Sequence, residues 1–201
     1  MNTTISFNYS QSKQYAIDLF NDKTLSYQQD KKVEALLILI GIDTGFRVSD
    51  LLKLKYSDIT TDNQYGKPFI IGYVHKKKRL ETKPLSTNTN RLIEVYYNYC
   101  FLASGTVNEF IFYNYKNNST YSRQWAHKRL NIANDAGELG KKVKVAGAHS
   151  LRRTAGHNIY SKTKDLRYVQ LLLGHDRMKQ TEHYLKLDQT EHLEILSRVY
   201  D

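Results

Sequence analysis

One predicted helix of this chain has to be buried on nearly every side, and this requirement constrains the fold more than any other feature. Residues 32–44 carry apolar side chains at Val33, Leu36, Ile40 and several positions between them. A helix with apolar residues on several faces must be surrounded by other elements. Gly45 follows it and is predicted to end it. At 201 residues the chain is long enough to build one sizeable core around such a helix.

The other segments predict a mainly α fold with a small antiparallel β-sheet. Two β-like segments, 69–75 and 80–85, flank the basic turn 76–79, which predicts a hairpin with a cationic tip. Residues 1–28 are polar and are predicted to form an N-terminal extension, whereas 29–201 form a single domain. Further helices are predicted at 15–20, 48–55, 88–102, after a capping Ser122, and at 150–161, 166–173, 180–187 and 190–200.

The charge of the chain favours a polyanionic partner. It has 30 Lys and Arg against 20 Asp and Glu, a formal net charge of +10. Nucleic acid is the commonest partner for such a balance, and a basic surface that only aids solubility is the alternative. Basic clusters occur at 76–79, at 141–144, and at Lys162, Lys164 and Arg167. Each cluster either follows a duplex backbone or forms a solvated face.

Cysteine usage and hydropathy indicate a soluble, intracellular protein. The single cysteine, Cys100, excludes an internal disulfide and lies in an apolar helical pattern, where a buried small side chain is expected. The N-terminus lacks the layout of a signal peptide. The longest apolar run, 35–42, is too short to span a bilayer, so no membrane partner is expected.

Four short motifs supply residues suited to chemistry at a phosphodiester. They are TGFRVSD at 44–50, HSLRRT at 149–154, LLLGH at 171–175 and TEHY at 181–184. Guanidinium groups bind two phosphate oxygens, imidazoles transfer protons near neutral pH, and a phenolic oxygen is a nucleophile. A lone arginine is more often part of a surface salt bridge, and a lone tyrosine more often packs in a core. The histidines lack the close ligand spacings of a zinc site, so no metal is expected.

In this order, with Tyr184 nine positions after His175, the motifs resemble those of the tyrosine recombinase (phage integrase) family. That family shares its catalytic-domain fold with type IB topoisomerases, and the resemblance covers residues 30–190. It implies that Arg47 and Arg152 hold the scissile phosphate and that His149 and His175 handle protons and bind the phosphate. Tyr184 is then the nucleophile that forms a 3′-phosphotyrosyl intermediate, and no cofactor is needed.

Two further roles follow from the resemblance. The family's hairpin lysine, which protonates the leaving oxygen, lies eight residues before a proline that opens a Pro-Leu-Ser-like segment. Counting back from Pro84 gives Lys76, although its neighbours are also lysines. Asp50 matches an acidic position that supports the basic residues, and an ordinary acid at a helix N-terminus is the alternative. Contacts with DNA are expected from Lys77, Lys78, Arg79, Lys141, Lys142, Lys144 and Arg153. Arg153 points elsewhere than Arg152 on the helix, and packing within the protein is its alternative role.

The resemblance implies a site-specific DNA recombinase that integrates, excises or inverts DNA through a Holliday junction. Its expected partner is double-stranded DNA with paired sites, bound by a homotetramer in the bacterial cytoplasm or nucleoid or in a phage-infected cell. Residues 188–201 are expected to form a helix that either docks on a neighbouring protomer or folds back on its own core. The chain resembles a short form without a full N-terminal core-binding domain, or a truncated catalytic domain. The alternatives are a topoisomerase-like relaxing enzyme and a non-catalytic DNA-binding regulator.

Overall fold

The computed structural model describes residues 6–22, 24, 29–62, 64, 66–140 and 147–185. Its helices are α1 (Tyr9–Asn21), α2 (Gln29–Thr44), α3 (Val48–Leu51), α4 (Thr87–Ser104), α5 (Arg123–Asp135), α6 (Ala148–Thr163), α7 (Leu166–Leu173) and α8 (Met178–Leu185). Its strands are β1 (Ile59–Thr61), β2 (Pro68–Val74), β3 (Arg79–Pro84), β4 (Tyr113–Asn114) and β5 (Ser119–Thr120). Short 3-10 turns occupy Tyr56–Asp58 and His75–Lys77.

Helix α2 is the centre of the core, as its apolar pattern predicts. Its residues from Val33 to Ile42 are buried without interruption. Helix α6 crosses it so closely at Gly41 that a Cβ there would lie 2.7 Å from Leu151 Cδ1. The one acid in the buried stretch, Glu34, accepts a 2.7 Å hydrogen bond from Arg129 Nε on α5. The apolar pattern therefore identifies the element that the other helices surround.

The N-terminal segment belongs to the same core as the rest of the chain. Helix α1 packs on α2 and is longer than the sequence predicts, since Asn8 caps it by accepting from the Gln11 backbone at 3.0 Å. Phe7 and Phe20 are buried in the core, and the backbone N–H of Phe7 donates to Thr154 Oγ1 at 2.9 Å. Residues 6–22, part of the predicted N-terminal extension, thus pack into one core with the helices that follow them.

The small antiparallel sheet carries the basic hairpin. Its strand order is β1-β2-β3, and β2 pairs with β3 from Phe69 with Pro84 to Val74 with Arg79. Strands β4 and β5 form a second, two-stranded antiparallel ladder. The prediction of a helix over 48–55 is too long. Helix α3 ends at Leu51, and the next N–H groups bond back to it only in a short turn. From Leu54 onward the backbone pairs with another segment, since Leu54 O accepts from Ile111 N and Tyr56 N donates to Glu109 O.

Other expectations concern burial and membranes. Cys100 is buried on α4, as predicted. In the described parts of the chain, every helix falls short of the length and apolar character that crossing a bilayer requires. The predicted helix at 190–200 lies outside the described residues, and α8 is described only as far as Leu185.

Candidate active site

The corner between α2 and α3 places the first predicted arginine. Gly45 has a φ of +64°, and a Cβ there would lie 3.1 Å from Leu173, so the tight turn requires glycine. Arg47 follows in extended conformation at the N-cap of α3 and is half-buried. The Gly45 carbonyl accepts a 2.5 Å hydrogen bond from Nη1 of Arg152. One turn therefore both presents Arg47 and fixes the second predicted arginine.

Arg152 on α6 is held rigidly before any ligand arrives. Its residue is only 3% exposed, and Nη2 donates to the Leu173 carbonyl at the end of α7. Burial, together with the charge of Arg47, lowers the pKa of Arg152 to about 10. The guanidinium therefore remains charged at neutral pH, with two of its donors already committed to backbone carbonyls.

Three cations from three elements converge on the last carbonyls of α7. The Leu172 carbonyl accepts from Lys83 Nζ at 2.5 Å, the Leu173 carbonyl from Arg152, and the Gly174 carbonyl from Lys77 Nζ. Positive charge is favourable at a helix C-terminus, where the carbonyls have no partners within the helix. The next residue is His175, so this convergence fixes the position of the second predicted histidine.

His175 is held as a neutral imidazole. It is 8% exposed, its backbone N–H donates to Gln170 O at 3.0 Å, and Nδ1 lies 3.0 Å from Thr181 Oγ1 on α8. Burial lowers its pKa to about 4, with the charges of Arg152 and Arg47 acting in the same direction. An uncharged imidazole keeps one N–H group, so it can donate one hydrogen bond to an anion.

Tyr184 on α8 lies among the other predicted groups. Its ring makes an edge contact with His175, with centroids 5.3 Å apart and planes at 74°. Its hydroxyl donates to the His149 backbone carbonyl at 3.3 Å. Burial raises the pKa of Tyr184, while the positive charges of Arg152, Arg153 and Arg47 oppose that increase. The hydroxyl is therefore protonated at neutral pH and needs a base to become a nucleophile.

His149 lies in the first turn of α6 and remains accessible to solvent. Partial burial and the charges of Arg152 and Arg47 lower its pKa below the ordinary value. The imidazole is thus uncharged at neutral pH, which is the state in which it can accept a proton, and the backbone carbonyl of the same residue accepts from Tyr184.

Asp50 reaches the hairpin through a residue that the sequence motifs do not include. Its carboxylate is buried and lies 3.1 Å from Nδ1 of His75, whose backbone N–H also points to it at 3.3 Å. Nε2 of the same ring lies 3.1 Å from Lys53 Nζ. Asp50 thus anchors the base of the hairpin. No local pattern marked His75, because Asp50 lies 25 positions away.

The three hairpin lysines differ in their surroundings. Lys76, the predicted acid, is exposed and makes no hydrogen bond or ion pair with the residues that the structure describes. Lys77 is half-buried and, besides the Gly174 carbonyl, binds Asp176 Oδ1 at 3.1 Å. Lys78 is exposed with a φ of +52°. The described contacts bring Lys77 to the His175 turn, and the role of Lys76 stays a prediction.

The other expected DNA contacts have different outcomes. Arg79 is exposed and pairs with Glu81 at 3.1 Å. Lys141, Lys142 and Lys144 lie outside the described residues. For Arg153, which the sequence predicts either to pack or to contact the DNA backbone, the guanidinium lies 5.0 Å from the centre of the Tyr184 ring. Among the described residues, no group of His, Cys, Asp or Glu side chains is arranged as metal ligands.

The structure thus groups arginines, histidines and a tyrosine on a helical core with a three-stranded sheet. The model of the phage integrase family matches residues 16–191. This chain belongs to the phage integrase family, and the family and fold predicted from the motifs are confirmed.

Relatives and solved structures agree with this membership. The chain is 27% identical over 158 residues to the probable integrase/recombinase YoeC of Bacillus subtilis, covering 79% of this chain and 80% of the relative. It is also 27% identical over 158 residues to tyrosine recombinase XerC of Neisseria meningitidis, covering 79% of this chain and 47% of the relative. The chain thus spans about half the length of XerC.

Structural similarity extends over the whole chain. A structure of the XerH site-specific recombinase bound to a palindromic difH substrate matches with a TM-score of 0.76 and 22% identity, over 100% of this chain and 55% of that one. The structure of XerA recombinase matches with a TM-score of 0.71 and 18% identity, over 100% and 65%. These similarities establish the fold.

Proposed function

We propose that this protein is a site-specific DNA recombinase that cleaves and rejoins DNA through a phosphotyrosyl bond at Tyr184. The proposal rests mainly on the residues that surround Tyr184. Its ring packs beside His175, its hydroxyl reaches the backbone of His149, and the charges of Arg152 and Arg47 act on it. Relatives named as integrases and tyrosine recombinases support the same reaction.

The arginines bind the scissile phosphate. Negative charge grows on the non-bridging oxygens as the phosphodiester is attacked, and fixed guanidinium groups stabilise it. Arg152 is already oriented by the carbonyls of Gly45 and Leu173, so it does not have to be ordered during the reaction. Neutral His175 donates a hydrogen bond to the same phosphate.

Proton transfers complete the cleavage step. The Tyr184 oxygen attacks phosphorus and its proton passes to the neutral imidazole of His149, while the bond from phosphorus to the 5′ oxygen breaks. That oxygen takes a proton from the hairpin lysine, which the sequence predicts to be Lys76. The ester energy is kept in the phosphotyrosyl bond, so attack by a 5′ hydroxyl reverses the step without a cofactor.

The charge of the chain supports double-stranded DNA as the substrate. A net charge of +10 and the basic tip of Lys77, Lys78 and Arg79 favour contacts with the phosphate backbone. These contacts position the duplex but carry little sequence information. Affinity should therefore decrease steeply as salt concentration rises.

Covalent capture tests the reaction with no assumption about the DNA sequence that the protein recognises. The probe is a pool of nicked duplexes with randomised sequence, and protein-linked DNA is recovered in SDS and sequenced. Wild-type protein should enrich a defined sequence, and Tyr184→Phe should yield no adduct. Tyr168→Phe, an exposed tyrosine on α7, is the matched control and should behave as wild type. Adducts that persist in Tyr184→Phe would show that another residue is the nucleophile.

Recombination requires two sites held together, so we propose a homotetramer on paired sites. The apolar residues Leu193, Leu196 and Val199 support contacts between protomers, although they lie outside the described residues. Deleting 190–201 should spare binding to one captured site and weaken the pairing of two sites, as measured by gel mobility. Loss of the cooperative thermal transition in this variant would instead indicate that residues 190–201 pack in the core of their own protomer.

A further inference from the structure

A buried ion pair on β3 has no part in the chemistry proposed above. Lys83 and Glu81 have side chains that are 2% and 9% exposed, and Nζ lies 2.8 Å from Oε2. The same ammonium donates to the Leu172 carbonyl at 2.5 Å. Removing two charges from water costs several kcal/mol per ion, and their attraction does not always offset this. A pair kept under these conditions calls for a role beyond stability.

Strand geometry turns both side chains toward α7. Residues 81 and 83 are two apart on β3, so their side chains lie on the same face of the sheet. The residues paired with them on β2 are Gly72 and Ile70. Lys83 Nζ also lies 6.0 Å from the centre of the ring of Phe46, the residue directly before Arg47 in the chain. The pair is therefore placed between the sheet and the two turns that carry proposed active-site residues.

Glu81 joins the hairpin to the turn before His175. Its Oε1 lies 3.5 Å from Lys77 Nζ, on the hairpin. Both of its oxygens fit against Gly174, where a Cβ would come within 2.6 to 2.7 Å of them. Burial alone would raise the pKa of Glu81, but Lys83 and Arg79 lower it below its ordinary value, so the carboxylate is charged.

Lys83 is the least exposed of the three cations at the end of α7, although Arg152 is also buried. Arg152 binds the Leu173 carbonyl and Lys77 binds the Gly174 carbonyl. Both cations are close enough to His175 for their charges to lower its pKa. At 2% exposure Lys83 does not reach a bound duplex. It acts on the reaction only through the carbonyl that it holds.

We propose that the Glu81–Lys83 pair is a positioning element for DNA strand cleavage, a role that rests on the proposed function. Lys83 fixes the end of α7 against β3, and Glu81 fixes Lys77 and Gly174 against each other. Together they set the distance between the hairpin lysines and the His175 turn. A displacement of about one ångström at such a site can slow a reaction by about 100-fold.

The test separates positioning from folding with a neutral pair. Glu81→Gln combined with Lys83→Met keeps the size of both side chains and removes one charge of each sign. Lys77 keeps Asp176 and the Gly174 carbonyl, and Arg79 is exposed to solvent, so thermal unfolding should stay close to wild type. The variant should bind the duplex recovered by covalent capture as tightly as wild type. Its single-turnover cleavage rate should be lower by about 10- to 100-fold.

The exposed pair Lys55–Glu109 is the matched control. Its atoms are also 2.8 Å apart, but its side chains are 39% and 60% exposed. Lys55→Met with Glu109→Gln should cleave at the wild-type rate. Cleavage by a folded Glu81→Gln/Lys83→Met variant at that same rate would overturn the positioning role while leaving the proposed function intact.

A second variant covers the case in which the double variant unfolds. Glu81→Gln alone keeps the size and one acceptor oxygen, but it removes the charge that Lys77 and Lys83 share. It should slow cleavage without weakening binding, and Lys83→Arg, which keeps the cation, should retain more activity than Lys83→Met. Equal rates for Glu81→Gln and wild type would reject the proposal. Failure of wild-type protein to form any adduct would instead reject both proposals together.

Discussion

The guanidinium of Arg153 lies 5.0 Å from the centre of the Tyr184 ring, so the proposed nucleophile packs against a cation. Nε and Nη1 of Arg153 are buried without a hydrogen-bond partner among the described residues. Burial lowers the pKa of Arg153, and the tyrosine opposes that change. The aromatic ring is therefore the main described contact of this charge, which fixes the tyrosine between Arg153 and His175.

Replacing Arg153 by Met should slow cleavage while leaving DNA binding nearly unchanged. A cation–π contact of this kind contributes about 0.5–2 kcal/mol, or about 2- to 30-fold in rate. Single-turnover adduct formation measures the loss. Lys162→Met is the control. Lys162 also lies over an aromatic ring, 5.5 Å from the centre of Tyr9, but it is at the other end of α6 from Arg153. Equal cleavage by both variants would mean that Arg153 does not position the tyrosine.

The position of Arg153 shows what reasoning from one helix leaves open. Adjacent residues on a helix point about 100° apart, so the sequence predicts a direction away from Arg152 but does not decide between packing and a contact with DNA. Helix α8 lies over that flank of α6, and the Tyr184 ring extends to Arg153. The direction of a side chain follows from its own helix, whereas its partner depends on packing that a local pattern does not contain.

Features set by contiguous sequence could be predicted, whereas contacts between distant residues could not. The burial of α2 follows from its own apolar residues, and the motifs identify a family because each is contiguous in sequence. The contact of Lys83 with Leu172 spans 89 positions, and that of Lys77 with Gly174 spans 97. Such contacts depend on which strand lies beside which helix end, so the Glu81–Lys83 pair gave no signal in the sequence.

The pH dependence of stability should reveal His175. Its pKa is about 4 in the folded protein against 6.5 in the unfolded chain, so the unfolded state binds the proton first as pH falls. The free energy of unfolding should therefore decrease between about pH 6.5 and pH 4, by at most about 3 kcal/mol from this residue. The contribution is fully present above pH 6.5.

Urea unfolding across this range measures the effect. His149 and His157 also have lowered pKa values, so they add to the same trend. The contribution of His175 is the difference in slope between wild type and His175→Gln, which cannot titrate. Identical slopes would mean that the imidazole is not held neutral by burial in the folded protein.

Gly41→Ala should destabilise the crossing of α2 and α6. The added methyl would lie 2.7 Å from Leu151 Cδ1, and Leu151 is 1% exposed, so its side chain or the helices have to shift. Overpacking of this kind costs about 1–3 kcal/mol, part of which the better helix propensity of Ala offsets. Gly156→Ala on α6 is the control, since its nearest atoms would be 3.3 Å or more away. Urea unfolding should rank Gly41→Ala as the less stable variant, and the reverse order would contradict the close crossing.

The hairpin lysines can be separated by the chemistry of the leaving group. A duplex with sulfur at the 5′-bridging position of the scissile phosphate has a better leaving group and needs less acid catalysis. If exposed Lys76 is the acid, Lys76→Ala should cleave the oxygen substrate slowly and the sulfur substrate at close to the wild-type rate. Lys77→Ala should slow both substrates equally, because it loosens the Gly174 carbonyl next to His175 rather than removing the acid.

Lys78→Asn completes the comparison. Lys78 has a φ of +52°, and Asn tolerates this left-handed conformation, so the backbone of the hairpin should be preserved while the charge is lost. This variant should lose affinity at low salt and keep its cleavage rate on both substrates. If the sulfur substrate restores Lys77→Ala and not Lys76→Ala, the acid is Lys77. Its contacts with the Gly174 carbonyl and Asp176 would then have to break when DNA binds, because an ammonium held by both cannot approach the leaving oxygen.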